Sequence, residues 1–212
     1  MDTGYTRSEN NGAPFGDTTL YRSLVGALLY VAVNGRPDIA ASVSLLGRKV
    51  SAPTEMDWTA AKRVVRYLKC TKELKLTFSA GDGWALVGYS DADWAGDHAT
   101  RRSTTGYIFF FGGGPVAWVS HRQSCVSFSS MEAEYNALSE SCQELIWLRR
   151  LLEDLGEIQL DATTLFEDNQ SCLSFVQVER TSKRSKHIDT KQHFIKDLCE
   201  GGVIKLVYCP SE

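Results

Sequence analysis

The spacing of apolar residues changes once along this 212-residue chain, near Leu74, and the change restricts the folds that the chain can adopt. Before Leu74, apolar residues recur at helical intervals, so residues 18–73 are predicted to form three consecutive helices. The third begins after Thr54, a residue type that is favoured at helix N-caps. From Leu74 onward, apolar residues alternate in short segments separated by Gly, Asp and Pro, which is typical of β-strands. We therefore expect a small helical unit followed by a region that contains a sheet.

The region from residue 74 combines strands with helices. Four short strand patterns, the first of them LKLTFSA, precede a long helical pattern that ends near Gly156, its expected C-cap. A strand, a short helix, a basic link, a helix and a final strand follow. This order predicts a mixed sheet with helices on its faces. Residues 1–17, rich in Gly, Asn and Thr, are expected to form a flexible lead with a helix cap near Asp17.

The composition narrows the class of protein. Hydrophobic residues make up 43% of the chain and charged residues 23%, as in ordinary globular proteins, which argues against global disorder. The net charge is −3, so any nucleic-acid binding must come from a local basic surface. Six cysteines without a CxxC pair favour reduced thiols over a zinc site or a disulfide framework.

The same observations lead to an expected location. The apolar stretch at residues 24–33 is too short to span a bilayer, and the polar first residues lack the apolar core of a signal peptide. We therefore expect a cytoplasmic protein with access to the nucleus and no membrane partner.

Acidic residues collect at the predicted strand ends and at the start of the long helix. Asp91 and Asp93 end one strand, Glu134 lies in the first turns of the long helix, and Asp168 ends the strand after it. Because ligands of open sheets with parallel strands gather at the carboxyl ends of those strands, these acids are candidates for one site. Such a site suits a hard ion such as Mg²⁺, and two ions about 4 Å apart can promote phosphodiester hydrolysis.

Each acid also has a purely structural interpretation. Asp91 or Asp168, taken alone, could be a turn residue. Glu132 in SSME could complete a capping box by accepting a hydrogen bond from the backbone of Ser129. This second interpretation makes Glu134 the better candidate for chemistry.

Three parts of the chain resemble a known family. The segments are YRSLVGALLYVAVNGRPDIAASVSLLGRKVSAPTEMDWTAAKRVVRYLKCT, GYSDADWAGDHATRRSTTGYIFFFGGGPVAWVSHRQSCVSFSSMEAEYNAL, and LFEDNQSCLSFV with RSKHIDTKQHFIKD. Together they closely resemble the C-terminal part of Pol polyproteins from Ty1/copia-type retrotransposons, over residues 18–212. The resemblance implies that residues 18–73 are the helical tail of a reverse transcriptase and that residues 74–212 are a ribonuclease H-like domain.

The resemblance implies a fold and an activity. The fold is a five-stranded mixed sheet flanked by helices, and the activity is cleavage of the RNA strand of RNA/DNA hybrids. The catalytic, metal-binding acids correspond to Asp91, Glu134 and Asp168, which the spacing had selected independently. The implied cofactor is Mg²⁺ at a two-metal site, with Mn²⁺ as a substitute. The implied partners are the hybrid and the rest of the Pol polyprotein, including its reverse transcriptase, within a cytoplasmic virus-like particle.

Other residues receive supporting roles. Ser90, Asp93 and Asn169 neighbour the acids, and His187 in KHID is expected to cap or pack a helix start beside Asp189. The candidate phosphate contacts are Arg101, Arg102, Arg180, Lys183, Arg184 and Lys186. The tryptophans predicted to be core residues are Trp94, Trp118 and Trp147.

The chain departs from the family pattern at one point. Ribonuclease H domains usually carry a fourth metal-site aspartate on a last helix, which in this family follows VYCPSE. We therefore expect residues 74–212 to lack that helix, with Asp189 as a substitute for its acid. An alternative function is that of a catalytically dead or domesticated fragment that binds nucleic acid or protein. Another is an unrelated magnesium phosphohydrolase acting on small phosphate esters.

Overall fold

A computed structural model of the chain describes residues 12–80, 84–97, 99–177 and 186–210, and the side chains of residues 186–190 and 192 lie outside this description. Its N-terminal region is a unit of three helices: α1 (Thr18–Gly35), α2 (Ala40–Gly47) and α3 (Glu55–Cys70). A 3-10 turn, Pro37–Ile39, joins α1 to α2. The apolar faces of the helices share one core, in which Tyr21 and Leu46 are fully buried. The predicted helical unit is thus confirmed.

Side chains at the helix starts satisfy the first backbone amides. Asp17 caps α1 by accepting a hydrogen bond of 2.8 Å from the amide of Leu20. Helix α3 begins with a capping box, in which Thr54 Oγ1 accepts from the amide of Asp57 (3.3 Å) and the Asp57 carboxylate accepts from the amide of Thr54 (2.8 Å). The predicted caps at Asp17 and Thr54 are confirmed.

The residues before α1 pack on the helical unit. The amide of Phe15 donates to the carbonyl oxygen of Pro53 (2.9 Å), and the Phe15 ring stacks on Trp58 with centroids 4.8 Å apart. Residues 13–17, predicted as part of a flexible lead, are therefore anchored to the first turn of α3. Residues 1–11 of that predicted lead lie outside the described residues.

The second region contains a five-stranded mixed sheet. Its strands are β1 (Val87–Asp93), β2 (Thr104–Phe111), β3 (Gly114–Arg122), β4 (Thr163–Glu167) and β5 (Ile204–Tyr208). Their order is β3-β2-β1-β4-β5; β1, β2 and β3 are antiparallel, whereas β4 runs parallel to both β1 and β5. This is the ribonuclease H-like sheet that the resemblance implies, and that prediction is confirmed.

Three helices share a core with one face of the sheet: α4 (Ser130–Asp154), α5 (Gln170–Gln177) and α6 (Lys186–Glu200). Phe109 and Leu165 of the sheet contribute to this core together with Leu138 of α4 and Ile195 of α6. The helical unit lies against the opposite face, where the indole nitrogen of Trp118 donates to the carbonyl oxygen of Ala32 (2.8 Å). None of the helices in the described ranges is long and apolar enough to cross a membrane.

One predicted strand is wrong. The segment LKLTFSA lies beside the turn between β2 and β3, where the amide of Ser79 donates to the carbonyl oxygen of Gly112 (2.8 Å). Thr77 and Phe78 lie so close to Gly114 that a side chain there would collide with them. The alternating apolar residues of this segment therefore cover a turn instead of extending the sheet.

Candidate metal centre

The sheet topology brings the predicted acids to one edge. Asp91 is near the end of β1, and Asp168 directly follows β4, which is parallel to β1. Their carboxylates therefore meet where both strands end. Helix α4 approaches β1 through a cluster of small buried residues, in which Ala133 and Ala137 pack against Ala92. This close approach places Glu134 beside the strand ends.

The three predicted acids form one cluster. Asp91, Glu134 and Asp168 each offer a carboxylate oxygen, and these oxygens all lie within 4.8 Å of one another. Glu134 is the buried member, Asp168 is half-buried and Asp91 is exposed. A phosphate group could therefore reach the cluster from the Asp91 side while Glu134 stays shielded from water.

Burial and mutual repulsion disfavour the charged forms of these acids. Burial, reinforced by the charges of Asp91 and Asp168, raises the pKa of Glu134 to about 8. Partial burial and the charge of Asp168 raise the pKa of Asp91 as well. Glu134 is 6% exposed, and its Oε2 atom has no hydrogen-bond partner among the described residues. The described residues thus give Glu134 Oε2 no donor, and an ionised Glu134 would face the charges of Asp91 and Asp168.

Sequence reasoning missed one acid at this site, Glu167. It is 1% exposed, and burial followed by the charge of Glu134 raises its pKa to about 9. Its Oε1 atom accepts a hydrogen bond from the amide of Asn169 (3.2 Å), whereas Oε2 has no partner among the described residues. The alternation in β4 carried the signal, because Thr163, Leu165 and Glu167 all face inward.

The cluster fits a hard divalent cation. Its donors are all carboxylate oxygens, which Mg²⁺ and Mn²⁺ prefer over nitrogen and sulfur ligands. Burial and then the charges of Asp91 and Asp168 raise the pKa of Glu134; a cation there would favour its ionised form and would give its Oε2 atom a partner. Asp91, Glu134 and Asp168 are thus able to hold such an ion, and Glu167 is close enough to interact electrostatically with all three.

The predicted accessory residues have different surroundings. Ser90 is buried, and its hydroxyl has no partner among the described residues. Asn169 begins α5, since its side-chain oxygen accepts from the amide of Cys172 (3.0 Å). The Asp93 carboxylate lies over the next turn, so close to Gly96 that any side chain at that position would collide with it. Asn169 therefore caps the start of α5, and Asp93 packs on the turn that follows β1.

The predicted phosphate contacts are only partly described. Arg101 is exposed and Arg102 half-buried, and both belong to the loop between β1 and β2, which begins directly after Asp93. Arg101 has a positive φ of 56°. The candidates outside the described residues are Arg180, Lys183 and Arg184. The side chains outside the description are those of Lys186, His187 and Asp189.

Glu132 has the predicted structural role, but its carboxylate accepts from an amide one residue earlier than predicted. Ser129 Oγ accepts from the amide of Glu132 (3.1 Å), as in a capping box. The Glu132 carboxylate, however, accepts from the amide of Phe128 (2.8 Å) and not from that of Ser129. Glu132 therefore organises the start of α4, while Glu134 belongs to the acidic cluster.

Two of the three tryptophans predicted to be core residues are exposed. Trp94 is 49% exposed at the end of β1, and Trp147 is exposed on α4. Trp118 is half-buried between the sheet and the helical unit. The prediction was wrong for Trp94 and Trp147 because a large apolar side chain does not by itself indicate which surface of an element faces the core.

Comparisons with known proteins find close relatives but no matching family model. The retrovirus-related Pol polyprotein from transposon TNT 1-94 of Nicotiana tabacum is 40% identical over 187 residues, which are 88% of this chain and 14% of that polyprotein. A protein of Plasmopara viticola named secreted RxLR effector protein 161 is 52% identical over 128 residues, which are 60% of this chain and 90% of that protein. The chain thus spans a small part of the Pol polyprotein that it matches.

A solved structure supports the fold. The foamy viral protease-reverse transcriptase in complex with dsDNA matches 98% of this chain and 40% of that chain, with a TM-score of 0.56. The two sequences are 12% identical, so the likeness concerns the fold alone. The match includes both the helical unit and the sheet region.

Proposed function

Because the chain belongs to the family of Ty1/copia-type retrotransposon Pol sequences, we propose that its sheet region is a ribonuclease H-type nuclease domain that hydrolyses the RNA strand of RNA/DNA hybrids during reverse transcription. The observation that carries this proposal is the convergence of Asp91, Glu134 and Asp168 where two parallel strands end. The ribonuclease H-like fold and the relatives support a nuclease domain in general. That the substrate is an RNA/DNA hybrid is the further step that we propose.

In this proposal the three carboxylates hold Mg²⁺. When bound, the ion supplies the Lewis acidity that promotes attack of water on a phosphodiester and stabilises the leaving oxygen. Asp91, the exposed member, would hold the ion where a substrate phosphate can reach it, while Glu134 is positioned by the first turns of α4, on which it lies. Glu167, with its pKa at about 9, keeps a proton at neutral pH in the metal-free protein and so limits the charge behind the cluster.

The substrate and partners follow from the site and the relatives. A hybrid would be recognised through its minor-groove shape, its 2′-hydroxyls and its phosphates, with little dependence on sequence. Arg101 and Arg102, in the loop after Asp93, are the described candidates for phosphate contacts. The foamy viral structure contains dsDNA, which supports nucleic acid as the class of partner. We also propose that the chain acts together with the rest of a Pol polyprotein, inside a cytoplasmic virus-like particle.

Cleavage of a hybrid tests the proposal directly. The purified chain is incubated with Mg²⁺ and a hybrid labelled on its RNA strand, alongside the variants Asp91→Asn and Asp161→Asn. Asp161 is an exposed acid just before β4, at the opposite end of that strand from Asp168, and serves as the matched control. We expect loss of the RNA strand with the wild type and Asp161→Asn, and none with Asp91→Asn or with EDTA. Hybrid binding without cleavage would instead favour a non-catalytic binding module.

A further inference from the structure

Two aromatic side chains beside the acidic cluster are exposed. Phe128 is 89% exposed, and Trp94 is 49% exposed. Trp94 follows directly on β1, which carries Asp91, and Phe128 precedes α4, which carries Glu134. Exposed apolar groups that border polar residues commonly mark a binding surface. These two residues therefore adjoin the elements that supply two of the three acids of the cluster.

Hydrogen bonds fix the backbone that presents these rings. The indole nitrogen of Trp94 donates to the carbonyl oxygen of Ser127 (3.1 Å), which ties the loop after β1 to the segment before α4. The amide of Phe128 donates to the Glu132 carboxylate (2.8 Å), so the residue is anchored to the first turn of α4. The first bond holds the Trp94 ring itself, and the second holds the backbone from which the exposed Phe128 ring projects. Such prior fixation lowers the entropic cost of binding a partner.

The charges nearby indicate which kind of partner fits. Trp94 begins the loop that also carries Arg101 and Arg102. An aromatic surface next to cations suits a nucleic-acid duplex, whose sugars pack on rings while its phosphates meet guanidinium groups. The acidic cluster would join this surface once a cation had neutralised its charge. A protein partner of ordinary composition would not require a divalent ion at this place.

We propose that Trp94 and Phe128 form an aromatic platform on which the sugar rings of the bound RNA/DNA hybrid pack next to the acidic cluster. This inference rests on the proposed function, because it takes the hybrid as the ligand. The platform supplies apolar contacts, and the arginines of the same loop supply phosphate contacts. The two kinds of contact respond differently to salt, since only phosphate neutralisation releases counterions.

Hybrid binding tests the platform independently of cleavage. Affinity is measured by fluorescence anisotropy of a labelled hybrid, with Ca²⁺ in place of Mg²⁺, over a range of salt concentrations. Phe128→Ser is expected to weaken binding about tenfold without changing the slope of log affinity against log salt. Phe128→Trp should keep the wild-type affinity, whereas Arg101→Ala should reduce the slope. Leu160→Ser is the matched control, because Leu160 is 90% exposed in the segment before β4, remote from the strand ends that carry the acids.

The outcomes separate this inference from the proposed function. Wild-type affinity in Phe128→Ser, or a loss as large in Leu160→Ser, would overturn the platform while leaving hybrid cleavage untouched. A wild-type chain that neither binds nor cleaves a hybrid would overturn both proposals. Light scattering provides the remaining comparison. If Phe128→Ser converts a dimer to a monomer and leaves hybrid affinity unchanged, Phe128 serves self-association, and the platform proposal fails.

Discussion

Asp57 and Glu134 are both buried acids in the first turn or two of a helix, and the two regions of the molecule accommodate them differently. In the helical unit, Asp57 is 0% exposed and accepts hydrogen bonds from the amide and the hydroxyl of Thr54, both at 2.8 Å. In the sheet region, Glu134 faces two other acids, and its Oε2 atom lacks a partner among the described residues. A buried polar group without a partner is costly, so its persistence suggests a ligand. Asp57 is satisfied within its own capping box, whereas Glu134 Oε2 is left available to a ligand.

The largest expected effect is a loss of activity when Glu134 is changed. Glu134→Gln keeps the shape of the side chain but removes a charged metal ligand, so hybrid cleavage should fall at least about a hundredfold. Glu144→Gln, on the same helix but outside the acidic cluster, should cleave at the wild-type rate. The check is the initial rate of RNA cleavage with saturating Mg²⁺. Full activity in Glu134→Gln would show that Glu134 is not needed for cleavage.

The next largest effect is a loss of stability when Asp57 is changed. Asp57→Ala removes the capping box of α3 and leaves the amide of Thr54 without its partner, so the free energy of unfolding should fall by about 2 kcal/mol. Urea denaturation at pH 7 measures the change. Asp154→Ala, at an exposed position near the end of α4, should leave the free energy of unfolding nearly unchanged. An unchanged stability in Asp57→Ala would show that this acid is not structural.

Two buried acids, Glu134 and Glu167, should make the stability depend on pH. The pKa values of Glu134 and Glu167 are raised to about 8 and about 9 in the folded chain, so the folded state binds more protons than the unfolded state above pH 4.5. Without metal, stability should therefore fall as the pH rises from about 5 to about 9, by at most about 1.4 kcal/mol per pH unit for each proton.

Thermal unfolding in EDTA at a series of pH values checks this slope. Glu134→Gln should flatten it, because one of the two titrating groups is gone, and Mg²⁺ should raise the melting temperature most at the alkaline end. A melting temperature that rises over the same pH range in EDTA would contradict the sign of the prediction.

The smallest expected effect concerns the junction between the two regions. Trp118→Phe keeps the aromatic packing but deletes the hydrogen bond to the carbonyl oxygen of Ala32, so the free energy of unfolding should fall by about 1 kcal/mol. Hydrogen exchange of the α1 and β3 amides provides a local readout of the same contact. Trp147→Phe, at an exposed position on α4, is the control and should change neither quantity.

Much of the fold and part of the site could be predicted from the sequence. The change of period near Leu74 separated the helical unit from the sheet, because helical and strand patterns repeat at different intervals. Strand ends and a helix start located Asp91, Glu134 and Asp168, which the structure brings together. These features depend on local spacing, which can be read along the chain.

The remaining features depend on packing between distant segments. Glu167 was missed because its burial requires α4 to cover the inward face of β4, although the alternation of that strand was visible. The indole of Trp94 is exposed and bonds to Ser127 in another segment, a contact that no local pattern indicates. LKLTFSA alternates like a strand, but the turn between β2 and β3 occupies the space beside it. Local patterns thus located the elements but not their neighbours.

Calorimetric titration of Mn²⁺ into the metal-free chain tests the central claim most directly, because it asks whether the unpaired carboxylates hold a cation. The account predicts saturable binding by the wild type and by Asp57→Asn, and loss of that binding in Glu134→Gln. Equal binding by the wild type and Glu134→Gln, or no binding by the wild type, would contradict it.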